Sequence, residues 1–410
     1  MIRLSPQLSD FKSALKCSRC DGELPIDFFM QDRKAATTSG RCPTCKAWIS
    51  ISLPKLRKKL IYLDQSFLSA ISIRKTSPKS QVELSIYSKL LKLKTQQRIA
   101  LVVSDVHSRE TAGIPEAYVE ERKLLWKFQN DLADGEISVD WEEVFIAQQR
   151  RIVAGTQSDE VFPISDIGLD DPHRFRIGMS YQSKNLWRQK IDQESVSPRN
   201  ETNDMFRTVF ENRAKDLPPN CNLQECASYV LQLWRELVRE GINAWRAERD
   251  FHLRIEQIVT DIDVGRVSSI PSMDLSAPVR RIVGDVLEGS NADAALQRWL
   301  ELLDDDTGGF GACAQIRFAF EAELTWRWLT SHQSLSGSTF NKEFGQSRHN
   351  DVNHVSTFLP YVDALTTDDD MRSLCGSEVV SRQLDQFPCK VFSSGNYAEF
   401  DSWLDALLNE

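Results

Sequence analysis

The sequence predicts an α/β protein, a parallel-sheet domain with a large helical insertion, preceded by a small four-cysteine module. Three observations carry this. Two Cys-x2-Cys pairs lie within the first 50 residues. Two short apolar runs, 60–63 and 99–103, each end in a polar cluster and flank a segment with helical apolar spacing. From about residue 115 to 340 the apolar residues recur with the helical period, after which strand and helix signals alternate again.

The first module spans residues 1–54. Cys17 and Cys20 form one pair, Cys42 and Cys45 the other, with 21 residues between the pairs. A Cys-x2-Cys turn offers two thiolates to one metal, and the Gly and Pro of GRCPTCKAW suit such knuckles. Four unrelated buried thiols are the alternative, but a module this short has little core of its own and needs a metal staple. Nothing suggests an open coordination position, so the expected ion is a structural Zn²⁺ in a four-cysteine zinc ribbon.

The discontinuous α/β domain is expected at 55–114 and 341–410. Leu60–Leu63 reads as a buried strand whose end presents Asp64, and Ile99–Val103 as a second strand ending in SDVHSRET. Between them Val82, Leu84, Ile86, Leu90 and Leu91 have helical spacing, so strand, helix, strand with a right-handed crossover follows. Residues 115–340 form the mainly helical insertion, with periodic segments at Ala117–Asn130, Cys226–Asp261, Val279–Leu287, Ala292–Leu303 and Cys313–Thr330. The polar, proline-broken stretch 155–175 reads as a long loop. The ending predicts a helix, a strand near Pro360–Leu365, a helix opening in the aspartates of TTDDDM, a strand at Cys389–Ser393 and a helix at Tyr397–Leu408.

Composition limits the function classes. A chain of 410 residues exceeds the roughly 250–300 at which single cores stop growing. No window resembles a membrane span or a secretory signal, and five of the nine cysteines are scattered as reduced thiols would be, so a cytoplasmic location without a disulfide framework is expected. The net charge of −9 is unevenly spread: residues 1–60 hold 12 Lys+Arg against 5 Asp+Glu, a balance of +7, which leaves −16 for the rest. A polyanion would meet a favourable field mainly at the N-terminal module. Nucleic acid and protein both remain open as partners of that module, the charge favouring nucleic acid. The absence of Walker, Rossmann and GxSxG patterns removes the motifs of ATPases, dehydrogenases and serine hydrolases.

Asp64, Glu110, Asp351 and Asp368 each follow an apolar strand or open a helix, the positions where a parallel sheet exposes its carboxyl edge. Carboxylates gathered there suit hard divalent cations, as two-metal phosphodiesterases require. A bland reading stands beside this one: a strand-end Asp is commonly a turn or cap residue, and Thr366 or Thr367 would cap a helix whose first turn is Asp368, Asp369 and Asp370. Likewise Trp234, Trp245, Trp326 and Trp328 suit base stacking, but tryptophan at helical spacing is more often core.

IYLDQSFLS resembles the first-strand motif of PIN-like domains, VVSDVHSRETAG their second motif, and NDVNHVSTFLPYVDALTTDDDM their third and fourth acidic motifs. The resemblance covers roughly 60–112 and 348–375; the long separation of residues 110 and 351 departs from compact members. It implies metal-dependent hydrolysis of phosphodiester bonds by Asp64, Glu110, Asp351 and Asp368 around Mg²⁺ or Mn²⁺, with RNA favoured over DNA. Asp363 is a reserve ligand because YVDAL reads as a strand end. His107 shares a helix face with Glu110 and would contact phosphate or orient a carboxylate, although a structural histidine is the more frequent case. His349 and His354, beside Asp351, are weaker candidates. The implied context is a bacterial toxin or antiviral defence effector, restrained by a protein partner or inhibitor. A catalytically silent zinc-ribbon scaffold that binds a protein or nucleic acid is the rival.

Overall fold

The computed structural model describes residues 16–24, 30–32, 37–52, 56–73, 81–104, 107, 111, 114, 118–133, 138–155, 162–167, 169, 199–218, 220–263, 278–288, 292–304, 309–331 and 337–410. The N-terminal module carries an antiparallel sheet of β1 (Met30–Asp32), β2 (Thr37–Arg41) and β3 (Trp48–Ser52) in that order. Among the described residues its buried apolar cluster is Cys17, Leu24, Cys42 and Ile49. A module of about 50 residues has little interior with which to offset the entropy of ordering its chain.

The body begins with β4 (Lys59–Tyr62), α1 (Gln65–Ile73), α2 (Gln81–Thr95) and β5 (Ile99–Val102). A helical tract follows: α3 (Val119–Ala133), α4 (Trp141–Ala154), α5 (Arg199–Asp216), α6 (Leu223–Asp263), α7 (Pro278–Leu287), α8 (Ala292–Asp304), α9 (Ala312–Ser331), α10 (Gly337–Phe344) and α11 (Gln346–Phe358). The chain then returns to the sheet through β6 (Ala364–Thr366), α12 (Asp369–Cys375), α13 (Glu378–Leu384), β7 (Lys390–Phe392) and α14 (Tyr397–Asn409). The four strands pair in the order β5-β4-β6-β7, all parallel. Among the described residues no helix is long and apolar enough to cross a membrane.

Alternation along the strands divides the interior in two. Ile61, Leu63, Leu101 and Phe392 pack with Phe67 and Leu68 of α1, Ile86 and Leu90 of α2, and Phe400 and Leu404 of α14. Leu60, Tyr62, Val102 and Leu365 face the other way, into a core shared with Val144 of α4, Ile242 of α6, Phe320 of α9 and Val355 of α11. The helical tract is therefore one layer of the body, and that is why strands of three or four residues can be apolar on both faces. Its central helix, α9, packs on α4, α5, α6, α11 and α13.

Inside this layer Glu321 of α9 receives Arg213 of α5 at 2.7 Å, Arg317 at 2.9 Å and the Trp234 indole N–H at 3.1 Å. Burial pushes the Glu321 carboxyl up, but the two guanidiniums outweigh it and hold it down to about 2. Arg317 also lies 4.1 Å above Trp141 and 5.4 Å from Trp234. Trp328 is buried, and Trp234 and Trp245 pack on the same core, so these tryptophans take the core role. Trp326 packs against Leu217, Cys221 and Cys226.

Strand and helix bounds depart from the sequence reading in two informative places. Tyr361 and Val362 precede the strand and pack in the shared core, so β6 starts at Ala364 and shares only Ala364 and Leu365 with the strand expected near Pro360–Leu365. Asp368, not Thr366 or Thr367, caps α12: its side chain accepts the Met371 N–H, while Thr366 completes β6. Most of the predicted loop 155–175 lies outside the described residues, apart from a 3-10 turn at Ile164–Ile167.

Candidate metal centres

The two Cys-x2-Cys turns are built alike. The Cys17 amide donates to Gly22 and the Cys42 amide to Ala47, each five residues on, at 2.9 and 2.8 Å. Asp21 and Lys46, each four residues after the first cysteine, return a bond to its carbonyl at 2.9 Å. Both adopt left-handed backbone, φ 56° and 61°. The turns face each other: Sγ of Cys17 lies 3.6 Å from that of Cys45, and Cys20 lies 3.7 Å from Cys42. A tetrahedral ion with about 2.3 Å bonds to sulfur requires sulfur separations of about 3.8 Å. All four ligand atoms lie within 4.8 Å of one another, so the cluster can hold a metal such as zinc. Four thiols this close cannot all ionise without a cation. Backbone amides of Cys45 and Thr44 hold Cys42 down to about 6, whereas Cys20, drawn down by the Gly22 amide, is pushed up to about 12 by burial and the other thiols.

A second gathering of charge lies at the carboxyl edge of the parallel sheet. Asp64 follows β4 and caps α1, accepting the amides of Ser66 and Phe67 at 3.2 Å and the Ser66 hydroxyl at 2.6 Å. Thr366, at the end of neighbouring β6, accepts the Asp64 amide at 2.9 Å and donates its hydroxyl to the carboxylate at 3.0 Å. Burial pushes the Asp64 carboxyl above its usual range, and these bonds only partly oppose it. Next in sequence, Gln65 donates to Thr111 at 3.0 Å and accepts from Gln129 of α3 at 2.8 Å. Glu110 lies outside the described residues.

Asp351 sits on α11 and Asp368 at the start of α12, and one buried guanidinium joins them. Arg348 Nη1 is 3.4 Å from both carboxylates, and Nη2 is 3.8 Å from Asp370. Lys342 pairs with Asp370 at 2.9 Å. Asp369 is committed elsewhere: it accepts the Gly395 amide at 2.7 Å and the Ser394 hydroxyl, pinning the turn after β7, and hydrogen bonds from Ser393, Ser394 and Gly395 hold its carboxyl low. Among the described residues no acidic cluster brings three ligand atoms within 4.8 Å; only the four thiols do so. The Arg348 link to Asp368 and the bonds of Gln65 gave no signal in the sequence, because those partners are 20 residues away and 46 or more, respectively.

Asp363 is at the opposite edge of the sheet. It precedes β6, pairs with Lys59 at 2.7 Å and accepts the Leu60 amide at 2.8 Å, so the strand-end reading is corrected and Asp363 does not join Asp64 and Asp368. His107 is fully buried. The Ser104 amide donates to its Nδ1 at 3.0 Å, which leaves the ring proton on Nε2, 3.2 Å from the Tyr62 hydroxyl. Burial and nearby His354 hold it far below the usual histidine range, so it is a neutral core residue. His354 packs against Tyr62 and His107. His349 packs on Phe206, and burial and Arg317 lower it to about 4. Compared with protein-family models, with curated proteins and with solved structures, the chain finds no match in any of the three.

Proposed function

We propose that the chain is a PIN-like, divalent-metal-dependent nuclease acting at the carboxyl edge of its parallel sheet, with RNA the favoured substrate, and that the N-terminal module is a structural zinc ribbon. The observation that carries the reading is the meeting of distant acidic segments on neighbouring elements. Thr366 binds Asp64 from the next strand, two residues before Asp368, and Arg348 ties Asp368 to Asp351. The Gln65–Thr111 bond adds support by joining the residue after Asp64 to the residue after Glu110.

Mg²⁺ or Mn²⁺ would be held by Asp64, Asp351 and Asp368, an all-oxygen donor set suited to hard cations. When bound, such an ion polarises a phosphoryl oxygen and makes water a better nucleophile. The chain's own part is to hold the carboxylates ready. Thr366 and the α1 amides fix Asp64, the Met371 amide fixes Asp368, and Arg348 neutralises the repulsion between Asp351 and Asp368. Raised by burial, Asp64 gains from any cation brought beside it.

The silent-scaffold reading has one specific observation in its favour: Arg348, only 7% exposed, already supplies a positive charge between Asp351 and Asp368. Cleavage of labelled single-stranded RNA, folded RNA and DNA with Mn²⁺ added or omitted separates the two. Omission is preferable to a chelator, which would also strip zinc. An Asp64→Asn/Asp368→Asn variant keeps side chains able to cap α1 and α12. Mn²⁺-dependent cutting that falls at least ~100-fold in this variant supports the nuclease; absence of cutting by the wild type on every substrate supports the scaffold.

A further inference from the structure

The outer face of the N-terminal sheet presents an exposed tryptophan. Among the described residues Trp48, 62% exposed, is the most exposed of the large apolar side chains, whereas Trp141, Trp299 and Trp328 are buried. Strand alternation explains its position. Ile49 points inward to Cys17 and Cys42, so Trp48 and Ser50 stand on the outer face. Directly across the strand pair, Trp48 faces Arg41 and Ser50 faces Ser39, the two serine hydroxyls 3.5 Å apart. The register therefore places an indole and a guanidinium at neighbouring positions of one sheet face, with two serine hydroxyls at the next pair along. Among the described residues no ring, cation or hydrogen-bond partner takes up the Trp48 side chain, and no ion pair takes up Arg41.

We infer that this face is a stacking platform for single-stranded nucleic acid, with Trp48 taking a base and Arg41 an adjacent phosphate or base. An aromatic ring presented beside a cation offers the base stacking and backbone attraction by which single strands are held without sequence readout. Charge favours this occupant over a protein: residues 1–54 carry 8 Lys+Arg against 5 Asp+Glu, a balance of +3, while the remainder carries −12, and Arg19 and Lys46 are exposed on the two knuckles. A closed duplex hides its base faces and cannot use the indole. The inference extends the nuclease reading by assigning substrate capture to the ribbon, more than 300 residues in sequence from Asp368.

The test is fluorescence anisotropy of labelled pyrimidine-rich RNA and DNA strands and of a duplex of equal length. It uses the full chain carrying Asp64→Asn/Asp368→Asn without added divalent ion, so that cutting cannot interfere. Strand binding should weaken ~10-fold or more in Trp48→Ala, consistent with the loss of one stacked base, and largely recover in Trp48→Phe. Arg41→Gln should weaken it less and flatten its salt dependence. Zinc content should stay unchanged in all three. No strand binding by the parent chain, unchanged affinity in Trp48→Ala, or tighter binding to the duplex would overturn the platform, leaving the face to a protein partner. Because binding is read without cleavage, a chain that binds through Trp48 but never cuts refutes the nuclease and keeps the platform.

Discussion

The two candidate metal centres are assembled in opposite ways. The thiol cluster comes from two turns of the same local geometry, and its four sulfurs are already within 4.8 Å of one another. The carboxyl-edge acids arrive from β4, α11 and α12, joined across about 300 residues of chain, with Arg348 between two of them. Soft, local ligands make a site that depends on the ion for its fold; hard ligands on a packed sheet make a site that folds first and can bind afterwards. One centre is structural on this account, and the other is reactive.

Predictions that break or sharpen this contrast fall in order of size. Cys42→Ser should lose zinc and unfold the ribbon, because structural zinc contributes on the order of 10 kcal/mol to so small a module. Loss of hydrogen-exchange protection confined to residues 16–52, with the body's melting unchanged, would show it. Next, Glu321→Ala should destabilise the body by about 3–5 kcal/mol in denaturant melts, since it strands Arg213 and Arg317 in a buried layer. Glu321 is depressed to about 2, so its contribution is present above the unfolded value near 4.5 and is lost as pH falls toward 2. The gap between wild type and Glu321→Gln should close over that window.

A smaller effect is expected at Asn203 of α5. Gly345, at the N-cap of α11, offers no side chain, and Asn203 Oδ1 accepts the Gln346 amide at 2.9 Å instead. Asn203→Ala should cost about 1 kcal/mol and, by loosening the start of the helix carrying Arg348 and Asp351, reduce cleavage more than stability. The smallest effect concerns Asp64. Its carboxyl is raised, so ionisation costs stability at neutral pH. Asp64→Asn should therefore melt slightly higher than wild type at pH 7 without divalent ion, an advantage that fades as pH falls into the carboxylate range and reverses when Mn²⁺ is added.

What the sequence disclosed follows from the same contrast. The four cysteines were legible because knuckle geometry is written in consecutive residues. Asp64 was legible as the polar end of an apolar strand, and helix α2 and the bounds of α7, α8 and α9 lay within a few residues of their apolar periodicity. Asp363 was misplaced because a three-residue strand is too short to locate by alternation when Tyr361 and Val362, just before it, are apolar for another reason. Helix α5, rich in polar residues, carried no periodic signal. Arg348 was invisible because its meaning comes from Asp368 and Asp370, brought to it only by the return of the chain to the sheet.

The most direct measurement of the central claim is metal content and binding in one pair of proteins. Zinc stoichiometry and Mn²⁺ titration, followed by calorimetry, should be compared between wild type and Asp64→Asn/Asp368→Asn. The account predicts one zinc per chain in both and Mn²⁺ binding in the wild type alone. Equal Mn²⁺ binding by the two proteins, or none by the wild type, would contradict a reactive centre at the carboxyl edge.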